Sequence, residues 1–267
     1  MSADPDTLSF PITLRYDHRA VFTRDVFAPA NETLARLLTP REPGGRARAL
    51  VIWDAGLERS MPGFAEKIRA WFAARSGQVS LEAPPVCVPG GEAVKNDFSQ
   101  LQRVWAEINA AKLCRHSFVI AIGGGAVLDM AGFGAATAHR GIPIVRLPTT
   151  SLSQADGGLG VKNGVNYFGK KNWLGSFVVP HAVVNDLAFL DVLPPRDRRA
   201  GLIEALKVAL VRDGAFFEFI AARVTALARF EREPYEAVIR ESARQHVEHI
   251  AAGGDPFERG SARPLDF

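Results

Sequence analysis

Apolar and polar positions along the chain follow two periods. RALVIW (residues 48–53) is a β-rich apolar run and reads as a strand. Phe64, Ile68, Trp71 and Phe72 recur at helical spacing within residues 63–75, and Leu101, Val104, Trp105 and Ile108 repeat the stripe in a second helix. SFVIAI (117–122) is a continuous apolar run between a helix and glycines, as expected of a buried strand. Residues 127–138 predict a helix and IPIVRL (142–147) another strand. This alternation predicts an α/β domain with a Rossmann-like, mostly parallel sheet and helices on both faces.

The character changes near Asp186. LPPRDR reads as a turn, and residues 198–212 as a helix with Leu202, Leu206, Ala209 and Leu210 on one face. A further helix is expected over about 235–251, with Tyr235, Val238, Ile239, Ser242 and His246 down one side, and no strand is expected after Asn185. The predicted organisation is an α/β domain over residues 1–185 and an incomplete all-α domain over 186–267. GGDPFERGSARPLDF is loop-like and has no terminating element, so the helical domain is expected to be cut short.

Composition narrows the class. The 267 residues are 47% hydrophobic and 23% charged, ordinary for a globular protein. No run of roughly 18 apolar residues exists, so no membrane span is expected. MSADPDTLSF lacks the basic start and apolar core of a signal peptide, which favours the cytoplasm. Cys87 and Cys114 are the only cysteines, too few for a disulfide framework. A net charge of +3 without a Lys/Arg block gives no support to nucleic-acid binding and is compatible with phosphorylated metabolites.

Candidate chemistry starts where SFVIAI meets Gly123, Gly124 and Gly125. Glycines let backbone N–H groups approach a bulky anion, and a following helix adds partial positive charge. The spacing is not the GxGxxG of the dinucleotide fingerprint, so GGGxxxD, ending at Asp129, fits a nucleotide loop and a tight strand–helix turn equally. Asp54 ends a strand at the edge where α/β ligands bind, and PGGEAVKND presents Glu92 and Lys95. Each also reads as ordinary turn or helix-start chemistry.

LPTTSLSQADGGLGVKNGVNYFGKKNWLGSF is the most informative stretch. It carries Thr149, Thr150, Asp156, Lys162, Lys171 and Asn172, and it reads as a long functional loop at the same sheet edge. Lysines give point charges to phosphate, and Asp and Asn fix hydroxyls, so a polyol phosphate fits. Arg140, just upstream, could supply a guanidinium. Glu204 and Lys207 lie one turn apart, opposite the apolar face of their helix. They read either as an exposed ion pair or as a metal ligand and its neighbour. His246 and His249 could share a ligand by spacing, but His246 falls on the apolar stripe, where a hydrogen-bonded core histidine is the simpler reading.

Together, GGGAVLDMAG, the HRGIPIVRLPTT stretch through Asn172, and LPPRDRRAGLIEALKVAL make residues 48–267 similar to the dehydroquinate synthase-like sugar phosphate cyclases. The resemblance implies NAD held by Asp54, Glu92, Lys95, Gly124, Gly125, Asp129, Thr149, Thr150 and Lys171. It implies a phosphorylated small-molecule substrate contacted by Arg140, Asp156, Lys162, Asn172, Lys207 and Arg263, and a divalent metal, zinc or cobalt, on Glu204. The implied reaction converts a phosphorylated keto-sugar to a carbocycle with loss of phosphate. Separately, a helical domain cut short is expected to expose apolar surface, which invites aggregation or a homodimer. Asp156-Gly-Gly-Leu-Gly-Val-Lys162-Asn163 departs from the family's Asp-Ser-Ser-Val-Gly-Gly-Lys-Thr. Glu248-His249 and Asp266 stand where dehydroquinate synthases carry lysine and asparagine. These departures point to a related cyclase of secondary metabolism. The family's Gly-His segment, which supplies the other metal ligands, is expected beyond Phe267, so this chain alone is expected to be inactive or nearly so. Two other readings remain: a polyol alcohol dehydrogenase of the glycerol dehydrogenase type, and a non-catalytic NAD-binding remnant.

Overall fold

The computed structural model describes residues 7–40 and 44–254. The strands are β1 (Ala20–Thr23), β2 (Ala47–Asp54), β3 (Val79–Leu81), β4 (Val86–Val88), β5 (Phe118–Gly123), β6 (Ile144–Pro148), β7 (Lys162–Tyr167), β8 (Lys170–Phe177) and β9 (Ala182–Asp186). The helices of the first part are α1 (Thr33–Leu37), α2 (Gly56–Ser60), α3 (Phe64–Ala74), α4 (Ala93–Asn96), α5 (Phe98–Ala110) and α6 (Gly125–Thr137). Those after β9 are α7 (Ala188–Asp191), α8 (Pro195–Arg212), α9 (Gly214–Ala221), α10 (Val224–Ala228) and α11 (Arg232–Ala251). No described residue after Asp186 is in a strand, and no described helix is long and apolar enough to cross a membrane.

One sheet runs β1-β9-β6-β5-β2-β3, and every pairing in it is parallel. β4 pairs with the far end of β2, so β3 and β4 share one edge. Alternation along β2 divides the core. Ala49, Val51 and Trp53 pack with Phe64, Ile68, Trp71 and Phe72 of α3, while Leu50 and Ile52 face Leu101, Val104 and Ile108 of α5 and Val127 and Leu128 of α6. Each of the Val, Leu, Ile and Phe side chains among them, withdrawn from water, contributes roughly 1.5–3 kcal/mol. A further core joins Ala205 and Ala209 of α8, Phe216 of α9 and Tyr235, Val238 and Ile239 of α11.

Two expectations need correction. The stretch after β6 is not an open loop. Residues 153–157 form a π-helical turn, closed by Gly158 N–H donating to Ser153 O at 2.8 Å, and β7 and β8 form an antiparallel hairpin. On α8 the apolar face does not centre on Leu202, Leu206 and Leu210. The buried positions are Gly201, Ala205, Val208 and Ala209, and Leu210 is 65% exposed. Small residues let α8 approach the chain after β6 closely: a Cβ on Gly201 would stand 2.6 Å from Ser151 Cβ.

Candidate active site

β5 and β6 end side by side, with Gly123 in register with Pro148. The chain leaves β5 through Gly124 into α6, whose first turn has no side-chain cap, so its N–H groups are available to an anion. A Cβ on Gly125 would meet nothing within 4 Å, and one on Gly124 would touch Thr150 at 3.3 Å. That open cradle suits a pyrophosphate. Thr149 N–H donates to Gly123 O at 3.0 Å, which pins the next turn against the glycines. Asp54, at the end of β2, accepts from Gly56 N–H at 2.7 Å. A Cβ on Gly90 would lie 2.4 Å from Asp54 Oδ1, so only glycine fits there.

The hairpin β7–β8 folds over α6. At its turn Phe168 and Gly169 both have positive φ, +50° and +69°, as a two-residue type I′ connection requires. Amide and ammonium groups lock it in place. Asn166 Nδ2 donates to Glu92 Oε1 at 3.0 Å and Asn96 Oδ1 at 2.8 Å, and Asn166 Oδ1 accepts from Asn172 N–H at 2.8 Å. Lys95, only 4% exposed, donates from Nζ to Asp129 Oδ2 at 2.9 Å and also to Asn172 Oδ1. Burial pushes the Asp129 carboxyl above its ordinary range, only partly opposed by Lys95.

Between hairpin, α6, π turn and α11 lies a cleft of about 470 Å³, lined among others by Asp129, Asp156, Lys162, Asn163, Asn172 and His246. Asp156 sits on the π turn, a local geometry often found at functional sites. Its Oδ1 lies 3.0 Å from His246 Nδ1. Burial pushes the Asp156 carboxyl up, but the His246 hydrogen bond and the positive charges of Lys207 and Lys162 outweigh it, and the net shift is downward.

The structure thus brings Asp129, Asp156, Lys162 and Asn172 to one cleft; Glu92 and Lys95 adjoin it through Asn166, Asp129 and Asn172, while Gly124, Gly125, Thr149 and Thr150 form the turn at the start of α6. Lys171 is exposed on β8 next to Asn172. Glu204 Oε1 lies 2.7 Å from Lys207 Nζ, and neither side chain is fully exposed (14% and 25%), so the pair is not a freely solvated one. Arg140 is not brought to the cleft. The 13 residues of α6 carry the chain about 20 Å back across the sheet, so Arg140 lies at the opposite edge, before Ile144 pairs with Val119. Arg263 and Asp266 lie outside the described residues.

Two further groups bear on the site. Arg146, fully buried on β6, donates to Gly160 O at 2.7 Å, Lys162 O at 2.9 Å and Asn163 Oδ1 at 2.6 Å, so it moulds the turn that carries Lys162. Burial lowers its pKa to about 10. A lone arginine inside the apolar run IPIVRL was the available signal. His246 is buried, as a core histidine should be, yet it also lines the cleft.

Comparisons with known proteins agree with this layout. The family models "3-dehydroquinate synthase N-terminal" and "3-dehydroquinate synthase C-terminal" match residues 85–200 and 201–267. The chain is 39% identical over 220 residues to a 3-dehydroquinate synthase of Symbiobacterium thermophilum, covering 82% of this chain and 59% of that protein. It is 44% identical over 183 residues to one of a Geobacter species, covering 68% and 50%. The chain therefore spans between half and three fifths of the length of these curated relatives. Among solved structures, a 2-epi-5-epi-valiolone synthase of Streptomyces hygroscopicus subsp. jinggangensis, with NAD+ and Zn2+ bound, superposes with a TM-score of 0.81 at 28% identity, covering 98% of this chain and 68% of that one. An iron-containing alcohol dehydrogenase of Thermotoga maritima shares the fold alone, with a TM-score of 0.61 at 15% identity and coverage of 86% and 67%. Matched by both family models and by a solved cyclase, with the expected lysine, asparagine and aspartate meeting in one cleft, the chain belongs to the dehydroquinate synthase-like sugar phosphate cyclase family.

Proposed function

We propose that these residues form the NAD- and substrate-binding part of a sugar phosphate cyclase, which converts a phosphorylated keto-sugar to a carbocycle with loss of phosphate. The observation that carries the proposal is the meeting of Asp156, Lys162 and Asn172 in one cleft that is also lined by Asp129, about one turn into α6 from the uncapped Gly123–Gly125 turn.

The residues fit NAD. The glycine turn and first turn of α6 would take the pyrophosphate, with Asp54, Glu92, Lys95, Asp129, Thr149, Thr150 and Lys171 around the rest of the molecule. Bound NAD supplies reversible hydride acceptance. Lys162 would neutralise the substrate phosphate and steady it as a leaving group. Asn172, its backbone fixed by Asn166, would orient the sugar, and Asp156 offers acceptor oxygens to hydroxyls. The solved valiolone synthase carries zinc, and a 2-deoxy-scyllo-inosose synthase complex carries cobalt with carbaglucose-6-phosphate. A catalytic metal does not fit the described residues by themselves. Glu204 is engaged by Lys207, and no group of three or more His, Cys, Asp or Glu side chains converges among them. The proposal therefore keeps Glu204 as one ligand and assigns little or no turnover to the described residues alone.

Incubation with NAD, zinc and six- and seven-carbon keto-sugar phosphates is the test. NAD-dependent binding of one such sugar phosphate, with little or no phosphate release and no net NADH, supports the proposal, and binding of none of them overturns it. Net NADH formation from an unphosphorylated polyol would favour an alcohol dehydrogenase instead.

A further inference from the structure

The cleft is rich in donors, with Lys162 and Asn172 on its hairpin wall, and such groups suit the anionic end of a ligand. A sugar phosphate also has hydroxyl donors, which need acceptors. His246 is placed to be one. It is 6% exposed and lines the cleft from α11. One turn earlier, Ser242 Oγ donates to Ala155 O at 3.3 Å, so two side chains of α11 clasp the π turn. His246 Nδ1 lies 3.0 Å from Asp156 Oδ1, and an ionised carboxylate there fixes the proton on Nδ1. The lone pair is then left on Nε2. That atom looks toward Gly160, another cleft residue: even a Cβ at position 160 would stop 4.0 Å short of it, and glycine leaves the space in front of the ring open.

We propose that His246 is a ligand-contacting residue of this site: with Nδ1–H held by Asp156, its Nε2 accepts a hydrogen bond from a hydroxyl of the sugar phosphate. This rests on the sugar phosphate reading given above. Asp156 then has a second duty, orienting the imidazole, in the way a carboxylate sets the tautomer of a catalytic or metal-bound histidine.

His246→Asn separates contact from scaffolding. An asparagine amide reproduces the Nδ1–H donor toward Asp156 but has nothing in the place of Nε2. Calorimetric titrations in the presence of NAD would use carbaglucose-6-phosphate, a heptulose 7-phosphate and inorganic phosphate. The wild type is expected to prefer a sugar phosphate over phosphate. H246N should lose roughly tenfold in affinity for that sugar phosphate, as expected for one hydrogen bond, while its phosphate affinity stays unchanged. Long-range proton–nitrogen correlation spectra of the wild type should show the Nδ1–H tautomer at His246, with the Nε2 resonance moving when the sugar phosphate is added. An H246N protein that keeps the full preference, or loses both affinities equally, overturns the assignment, as does an Nε2–H tautomer. A wild type that binds sugar phosphate and phosphate alike, or neither, overturns the sugar phosphate reading and the assignment with it.

Discussion

Gly132 shows how one missing side chain shapes the site. It lies inside α6, where alanine would normally gain about 1 kcal/mol in helix propensity. A Cβ there would stand 1.8 Å from Asn163 Oδ1, the atom that accepts from Arg146 at 2.6 Å. The clash should outweigh the gain, so Gly132→Ala is expected to destabilise by roughly 1–3 kcal/mol in urea unfolding. Stability equal to or above wild type would show that the hairpin does not sit this close to α6. His18 makes a second residue-level case. Burial lowers its pKa from 6.5; the hydrogen bond to Leu159 O opposes this, and the charge of Arg146 lowers it further. The folded protein keeps the ring neutral while the unfolded chain protonates it near 6.5. The contribution is therefore complete above that pH and is lost as pH falls through the lower folded value. Melting temperature should drop between pH about 7.5 and about 5.5, and less steeply in His18→Gln. Parallel slopes for the two proteins would rule His18 out as a source.

At the scale of elements, what could be read from the sequence followed amphipathic periodicity. α3, α5 and α11 bury the stripes their sequences show, because one face of each meets a core and the other meets water. β2, β5 and β6 announce themselves as apolar runs because both faces are covered. The hairpin was hidden for physical reasons. β8 exposes Lys170 to Trp173 and again Phe177, so no alternation marks it, and Phe168-Gly169 replaces the Asn-Gly that usually signals a type I′ turn. α8 misled because three leucines at helical spacing outweigh a stripe of small residues by hydrophobicity, yet close helix packing selects the small ones. The expected outcome is lopsided. Leu210→Lys should alter stability by no more than about 0.5 kcal/mol, whereas Ala205→Leu should cost roughly 1–3 kcal/mol. The reverse order in thermal melts would restore the leucine face as the buried one.

For the whole molecule, the glycine turn and the lysine-, asparagine- and aspartate-bearing stretch were legible because parallel strands deliver their following loops to one edge. The sequence did not show which of those residues contact each other. Lys95, read as a cofactor ligand, also bonds Asp129 and Asn172 and so ties the hairpin to α6. Arg140, close in sequence, ends at the far edge because a full helix separates it from the turn. In the proposed function, the protein takes NAD at the glycine turn and a sugar phosphate under the hairpin. A crystal structure of the chain with NAD and a heptulose 7-phosphate tests it most directly. The pyrophosphate is expected on the N–H groups that follow Gly124 and the sugar phosphate against Lys162 and Asn172. NAD bound away from the Gly123–Gly125 turn, or a sugar phosphate bound outside this cleft, would contradict it.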